Sequence, residues 1–427
     1  MIARRRARAA KVAVSLALLA GACGRPEPAD ELRFWAFGRE GEVVQTLVAE
    51  FEREQPGIPI RVQQIPWSAA HEKLLTAFVG NASPDLVAMG NTWVPEQVTL
   101  GALAPLDSLV ASTPDMSPAG HFPGIWATNV VGGQLYGIPW YVDTRVVFYR
   151  TDLLARAGYP TFPTTWESWR ESMRKVADQG GPGHYGIYLP LNEWPPLVIL
   201  GLQGGSPLIT PAAYGAFADS GYRRSFEFLL SLYRDKLAPP VSNTEVANLY
   251  QEFARGTFAM YITGPWNIGE FRRRLPAELQ DKWSTAPMPG PSGPGVSLAG
   301  GSSLVILKSS PHKARAWALM RYLSRPEVQV KFYQLTGDLP ARQESWNDPV
   351  LANDREARAF RDQLARAVPT PMVPEWEEVT TKVMDQTEVA VRGGVTPAAA
   401  LAALDAEVNR LLERRRFLLA RTARGSE

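Results

Sequence analysis

The apolar positions in residues 32–89 change repeatedly between the period of a strand and the period of a helix. Residues 32–37 and 85–89 are nearly continuous apolar runs and residues 58–62 alternate, which is typical of β-strands. In residues 43–51 and 68–79 apolar side chains recur every three or four positions, and the serine that opens the second segment is placed to cap a helix. The order strand, helix, strand, helix, strand predicts an α/β fold with a parallel sheet.

The ends of these three strands indicate where a ligand would bind. Ligands of parallel α/β sheets lie beyond the carboxyl ends of the strands. The loops at residues 38–41, 66–67 and 90–93 follow those ends, so they are the first candidates for a binding site.

The remaining chain continues with elements of the same kinds. Strands are predicted at residues 145–149, 258–262 and 303–307, and helices at residues 224–237, 311–323 and 398–419. Residues 177–206 and 287–295 are rich in glycine and proline, which predicts irregular structure with short strands in the first segment and a loop in the second.

The composition is that of an ordinary globular protein too long for one hydrophobic core. The 427 residues favour two lobes, and the single cysteine excludes a disulfide within the chain. The net charge of +2 includes five basic residues in positions 1–22, and the rest of the chain has 40 basic and 43 acidic residues. That balance gives no reason to expect a nucleic acid as a partner.

The single cysteine, Cys23, follows a basic start and an apolar run from Val12 to Ala20, which is the pattern of a secretory signal. A segment that ends on cysteine resembles the bacterial lipoprotein lipobox, in which the thiol is acylated and becomes the new N-terminus. We therefore expect residues 1–22 to be a signal peptide and residues 23–31 a flexible tether. The protein would be extracytoplasmic and held to the cell membrane by lipid. The alternative is an ordinary signal peptide that contains a cysteine.

Five blocks of sequence, in order between residues 32 and about 345, carry a family resemblance. They are FWAFGREGEVVQTLVAEFEREQPGI, SPDLVAMGNTWVPEQVTLGALAPLD, YGIPWYVDTRVVFYRTDLLARAGYPTFPTTWESW, FARGTFAMYITGPWNIGEF and GGSSLVILKSSPHKARAWALMRYLSRPEVQ. Together they resemble the extracellular solute-binding proteins of bacterial ABC importers, in the sugar-binding branch related to the maltose and trehalose binders.

The resemblance implies two α/β lobes with a ligand cleft between them, a periplasmic-binding-protein-like fold that closes by a hinge. The chain is expected to cross between the lobes near residues 142–147, 297–301 and 337–342. One lobe would contain residues 32–142 and 298–340, the other residues 143–297 and 341–420, and residues 421–427 would form a disordered tail. The resemblance also implies a carbohydrate ligand, a membrane permease with a separate ATPase as partners, and no enzymatic activity. We expect a monomer without a cofactor.

A sugar presents C–H groups on its ring face and hydroxyls at its edge, so its binding site combines aromatic rings with carboxylates, amides and arginine. This chemistry and the resemblance together assign ligand contacts to a set of loop and crossing residues. They are Glu40, Asn91, Trp93, Tyr141, Asp143, Glu193, Trp194, Trp266, Gly300, Gly301, Asp338, Arg342 and Trp376. Trp35 and Trp67 are weaker candidates of the same kind.

Several of these candidates have a structural alternative. Glu40 can instead be a solvated acid that favours the N-terminus of the next helix, and Asp143 can be a hinge residue that bonds backbone amides. Trp266 can pack under its loop, and the Gly300-Gly301 pair can serve an unusual backbone angle. Arg342 can pair with a surface acid.

Two other classes of function stay open from the residues. A glycoside hydrolase needs two carboxyl groups ~5–9.5 Å apart, and no such pair is indicated. A binder of a polyamine, a peptide or an iron complex is the other alternative, with Tyr149 and Tyr233 as conceivable ferric ligands. The four histidines lack the spacing of metal ligands, and no glycine-rich phosphate loop is present in the sequence.

Overall fold

The computed structural model describes residues 30–425, so Cys23 and the predicted signal peptide lie outside the described residues. The strands are β1 Leu32–Phe37, β2 Ile60–Ile65, β3 Leu86–Gly90, β4 Val130–Val131, β5 Gln134–Leu135, β6 Ile138–Asp143, β7 Val146–Arg150, β8 Tyr185–Tyr188, β9 Phe258–Thr263, β10 Trp283–Ala286, β11 Ser297–Leu298, β12 Gly300–Ile306, β13 Leu339–Pro340 and β14 Ala367–Val368. The α-helices are α1 Gly38–Glu54, α2 Trp67–Val79, α3 Val94–Thr99, α4 Asp107–Ala111, α5 Pro123–Ala127, α6 Thr151–Arg156, α7 Trp166–Gly180, α8 Trp194–Gln203, α9 Ser220–Arg234, α10 Leu249–Arg255, α11 Trp266–Arg274, α12 Lys313–Leu323, α13 Pro326–Thr336, α14 Pro349–Ala352, α15 Arg355–Leu364, α16 Trp376–Val391, α17 Pro397–Leu411 and α18 Glu413–Gly425.

Six strands form the larger sheet, in the order β13-β6-β12-β3-β1-β2. β1 lies between β2 and β3 and is parallel to both, as predicted, whereas β12 runs antiparallel to β3 and β6. Side chains alternate along β1: Leu32 and Phe34 pack into the core on one face of the sheet, and Trp35 and Phe37 into the core on the other. This is the two-residue period of a strand that is buried on both faces.

Four strands form the smaller sheet, in the order β10-β7-β9-β8. β7 is antiparallel to β9 and β10, and β8 is parallel to β9. Helix α8 packs in the core of this half of the molecule, where its residues 195–201 are all buried, as expected for a helix that is apolar on every side. Each sheet with its helices forms one lobe, so the fold is the two-lobed α/β architecture expected from the sequence.

The chain passes between the lobes at three places. β6 ends at Asp143 in the larger sheet and β7 begins at Val146 in the smaller one. The chain returns between β10 and β12, where β11 pairs with β14. After β13 it passes back to α15, which packs against β10. These passages lie near the predicted crossings, and the limits assigned to the two lobes stay a prediction.

Three local expectations were wrong. Residues 177–206 are more regular than predicted, because Pro195 and Pro196 occupy the first turn of α8, where a missing N–H costs no hydrogen bond. Helix α2 begins at Trp67, so Ser68 lies inside its first turn instead of capping it. The C-terminal segment forms two helices, α17 and α18, where one was expected. The tail assigned to residues 421–427 stays a prediction. Within residues 30–425, none of the helices combines the length and the apolar content that crossing a bilayer takes.

Candidate functional site

A cavity of about 710 Å³ lies between the two lobes, a volume within the usual range for small-molecule sites. It is lined by Arg39, Glu40, Trp67, Gly90, Asn91, Thr92, Trp93, Tyr141, Asp143, Arg145, Trp194, Pro195, Tyr250, Trp266, Glu270, Arg274, Leu298, Gly300, Gly301, Thr336, Asp338 and Glu377. A larger cavity of about 1150 Å³ lies beside α7 and α9 in the smaller-sheet lobe. We take the cavity between the lobes as the candidate site, because it lies where the parallel strands of the larger sheet end.

The larger-sheet lobe contributes the loops at the carboxyl ends of its parallel strands. Glu40 lies in the first turn of α1 after β1, Trp67 opens α2 after β2, and Asn91 and Trp93 lie in a 3₁₀ turn after β3. Asn91 is buried, and its side-chain amide donates a hydrogen bond to the Ala299 carbonyl at 2.9 Å. One donor of Asn91 is therefore already engaged in a contact within the protein.

The tryptophans of this wall form one aromatic cluster. The rings of Trp67 and Trp93 lie 5.7 Å apart in an edge-on arrangement, and both pack against Phe37, at 5.2 and 5.7 Å. His71 lies 5.0 Å from the Trp93 ring, and its Nε2 is 2.6 Å from the Glu96 carboxylate. The hydrogen bond that the His71 imidazolium donates to the Glu96 carboxylate raises the pKa of His71. Trp93 is only 9% exposed and Trp67 is 38% exposed, so Trp67 offers the open ring surface.

Two carboxyl groups, Glu40 and Asp338, line the cavity, and each influences the pKa of the other. The Glu40 carboxyl also accepts hydrogen bonds from Trp67 Nε1 at 3.4 Å and from the Tyr141 hydroxyl at 3.5 Å. Burial raises the pKa of both acids, and the charges of Glu40 and Asp143 raise the pKa of Asp338 further. Two neighbouring acids hold a proton more readily than either acid alone.

Gly300 and Gly301 open β12 and pair with Asp143 and Val142 of β6. Gly301 has a φ of +136°, and a Cβ at this position would collide with the Tyr141 carbonyl. The unusual backbone angle that was the structural alternative for these glycines is therefore present at Gly301. Both glycines also line the cavity, where they leave the strand backbone uncovered.

The smaller-sheet lobe supplies the opposite aromatic wall. Trp194 is the first residue of α8 and Trp266 the first residue of α11, and Tyr250 lies between them in sequence. The Trp266 side chain lines the cavity and is half-buried, so it does not pack wholly under its loop. The guanidinium of Arg145 lies 4.5 Å from the centre of the Trp266 ring and forms an ion pair with Asp143.

The cavity contains charged residues that the sequence analysis did not single out. They are Arg39, Arg145, Glu270, Arg274 and Glu377. Glu377 lies in α16 and accepts a hydrogen bond from the Thr92 hydroxyl at 2.6 Å, which joins the two lobes. Burial raises the pKa of Glu377. The only feature of the sequence that could have indicated a site at Glu377 was its neighbour Trp376, because the surrounding segment has the pattern of an ordinary helix.

Two predicted contacts lie away from the cavity, contrary to the prediction. The Arg342 guanidinium donates to the Asp115 carbonyl and lies 3.9 Å from the Glu344 carboxylate, which is close to the structural alternative given for it. Trp376 is 1% exposed and lies behind Trp194, with ring centres 5.8 Å apart. Trp376 therefore supports a cavity residue from behind.

Glu193 and Trp35 do not line the cavity either. Glu193 precedes α8 and accepts a hydrogen bond from the Tyr261 hydroxyl at 3.2 Å, and burial raises its pKa. Trp35 is buried in the core of the larger-sheet lobe, with the Lys73 ammonium 5.0 Å from the centre of its ring. The contacts of both residues in this structure are therefore with other parts of the protein.

The tyrosines that were conceivable ferric ligands lie outside the cavity. Tyr233 is buried and donates its hydroxyl to the Leu189 carbonyl at 2.8 Å. The ring of Tyr149 packs against Phe162 with centres 4.6 Å apart. In the part of the chain that the structure describes, no group of three histidine, cysteine or acidic side chains is placed to hold a metal ion.

Known proteins share both the sequence pattern and the fold. Residues 38–330 match the family model of the bacterial extracellular solute-binding proteins. The solved structure of the sugar-binding protein MalE from the phytopathogen Xanthomonas citri is 47% identical, covers 91% of this chain and 99% of its own, and superposes with a TM-score of 0.88. The galactooligosaccharide-binding protein of Bacillus subtilis is 25% identical over 91% of this chain and 92% of its own. An uncharacterized lipoprotein of Streptomyces antibioticus is 27% identical over 86% and 84%.

The family match spans more than half of the chain, and the two-lobed fold with its cavity between the lobes agrees with it. The protein is a member of the bacterial extracellular solute-binding protein family.

Proposed function

We propose that the protein captures a carbohydrate in the cavity between its lobes, as the substrate receptor of an ABC importer. The observation that carries this proposal is the composition of the cavity wall. Aromatic rings from both lobes stand among five carboxyl groups and three arginines. Aromatic rings cover the C–H face of a sugar, and carboxylates and arginine bond its hydroxyls.

The two lobes divide this task. The larger-sheet lobe offers the exposed ring of Trp67 and the Glu40–Asp338 carboxyl pair. The smaller-sheet lobe offers Trp194 and Trp266. A ligand that contacts both walls gains from closure of the lobes, because each lobe alone satisfies only part of its surface.

The names of two relatives narrow the ligand class. The relative from Xanthomonas citri is called sugar-binding, and the one from Bacillus subtilis galactooligosaccharide-binding. These names and the several rings in the cavity support an oligosaccharide over a polyamine, a peptide or an iron complex.

We further propose that the bound sugar is not cleaved. The matched relatives quoted above that carry a function are named as binding proteins.

The test is a thermal-shift screen of the purified protein followed by isothermal titration calorimetry. The panel contains glucose, maltose, trehalose and galacto-oligosaccharides, with spermidine and a tripeptide as non-sugar probes. We expect saturable binding of at least one oligosaccharide and none of the non-sugar probes. Chromatography of the recovered sugar should return it intact. Binding of spermidine or the tripeptide alone, or recovery of shortened sugar, would overturn the proposal.

We also propose that Cys23 carries the lipid and that the soluble body is monomeric. The support is the signal-like segment before Cys23 and the lipoprotein name of one relative. In cells grown with labelled palmitate, the wild-type protein should incorporate the label and the Cys23→Ala variant should not. Light scattering of the body without residues 1–22 should give the mass of one chain. A permease partner is supported by the family alone, and co-purification with the membrane components of an importer would test it.

A further inference from the structure

Arg145 lies at the first crossing, where its backbone is fixed from both sides. Its N–H donates to the Ser297 hydroxyl at 3.1 Å, and the same hydroxyl donates to the Arg145 carbonyl at 2.9 Å. Ser297 is fully buried in β11, which belongs to the second crossing. The position of Arg145 is therefore set by two of the segments that join the lobes.

The Arg145 side chain turns back from the crossing into the cavity wall. Its guanidinium bonds the Asp143 carboxylate and lies 4.5 Å from the centre of the Trp266 ring. The side chain is 15% exposed, so it lies mostly behind the surface that a ligand would meet. A Cβ on Gly264 would overlap both the ring and the guanidinium, so glycine at this position is what lets the two approach each other.

Two acidic groups, one from each lobe, interact with Arg145. Asp143 stands at the end of β6, and Glu193 stands before α8. Burial raises the pKa of each, and the Arg145 charge opposes that rise in both. Asp143 in turn raises the pKa of Asp338. The guanidinium is thus the cation that favours ionised Asp143 as an acceptor for a ligand hydroxyl.

We propose that Arg145 is a positioning residue: its guanidinium fixes the Trp266 ring and the Asp143 carboxylate relative to the hinge, so that both meet the same ligand. This inference rests on the proposed function, because it assigns the two positioned groups to the sugar. One face of Trp266 is covered by the guanidinium, which leaves the other for the ligand. A planar cation can serve both partners at once, since it stacks on a ring and forks toward a carboxylate.

Two variants separate positioning from a simple loss of contact. Arg145→Met keeps most of the stem and removes the charge, whereas Arg145→Lys keeps the charge and loses the planar stack. The probe is the panel sugar with the largest thermal shift, titrated by calorimetry from pH 5 to 8. We expect Arg145→Met to bind about tenfold more weakly at neutral pH. We also expect the midpoint of its pH profile to move upward, because Asp143 then loses its counter-charge.

The lysine variant should restore the midpoint without restoring the full affinity. The matched control is Arg325→Met, which removes an arginine that also stacks on a ring, Tyr322 at 4.9 Å, and also pairs with an acid, Glu54 at 2.8 Å. Arg325 does not line the cavity, so its variant should bind as the wild type does. The proposal would be overturned if Arg145→Met bound the sugar with the affinity and the pH midpoint of the wild type. It would also be overturned if Arg145→Met and Arg325→Met lost the same affinity and neither midpoint moved.

A second readout does not need a ligand. If Arg145 holds the Trp266 ring, Arg145→Met should change tryptophan emission in the wild-type background and leave it unchanged in the Trp266→Phe background. An equal change in both backgrounds would overturn the positioning of the ring. A wild type that binds no carbohydrate would refute the proposed function, and the emission experiment would still decide whether Arg145 positions Trp266.

Discussion

Replacing Trp266 by alanine removes one complete ring from the smaller-sheet wall of the cavity. One face of that ring is already covered by the Arg145 guanidinium, so a ligand can cover about half of the ring. An aromatic side chain buries about 200 Å², and half of that at ~25 cal/mol per Å² corresponds to about 2.5 kcal/mol as an upper value. Because ordering the ligand opposes part of this gain, we expect a loss of about 1–3 kcal/mol, or roughly 5- to 150-fold in Kd.

The assay is calorimetric titration of the wild type and Trp266→Ala with the same sugar. Circular dichroism of both proteins first establishes that the variant is folded. The matched control is Trp126→Ala, which removes another half-buried tryptophan, packed 5.0 Å from His121 and outside the cavity. The control should lose stability but keep its Kd. An unchanged Kd in folded Trp266→Ala would refute the stacking role.

Three further variants test other parts of the structure. The raised pKa of Asp338 means that the folded state holds a proton which the unfolded state releases near pH ~3.9. Stability therefore falls as pH rises above that value, and urea unfolding should find Asp338→Asn more stable than the wild type, by more at pH 8 than at pH 4. Gly301→Ala should lower the free energy of unfolding in urea by about 1–3 kcal/mol, because the φ of Gly301 is +136°. The control Gly293→Ala places its Cβ in open space and should change that free energy little. Equal losses in the two variants would contradict the backbone argument. Thr92→Val removes the 2.6 Å hydrogen bond to Glu377, which is worth about 1 kcal/mol. X-ray scattering of the ligand-free variant should therefore give a larger radius of gyration than the wild type. An unchanged radius would count against a role for this bond in holding the lobes together.

The sheet architecture was predictable where burial imposes a period. Strands β1 and β3 are buried almost throughout, and such strands give apolar runs that differ clearly from the three-to-four spacing of α1. Helix α8 was missed because Pro195 and Pro196 are read as helix breakers, although both lie in its first turn. Proline is disfavoured only in the interior of a helix, and the sequence does not show which residues form the first turn.

The larger-sheet wall of the site was more predictable than the other wall. Glu40, Asn91 and Trp93 follow strand ends directly, and the geometry of a parallel sheet brings such positions to one edge. Arg342 also follows a short strand, but its guanidinium turns toward Asp115. Sequence locates the backbone at such a position, whereas the direction of a long side chain depends on partners from distant segments.

The residues missed by sequence reasoning share this dependence on distant partners. Thr92 and Glu377 are separated by 285 positions, yet they are hydrogen-bonded across the lobes. Both adjoin predicted contacts, since Thr92 lies between Asn91 and Trp93 and Glu377 follows Trp376, but their own roles arise only when the lobes face each other. Arg145 differs, since it lies two positions from Asp143 and within one of the five blocks of family resemblance. The approach of the Trp266 ring to the Arg145 guanidinium could not be predicted from the sequence, because it depends on Gly264 having no Cβ.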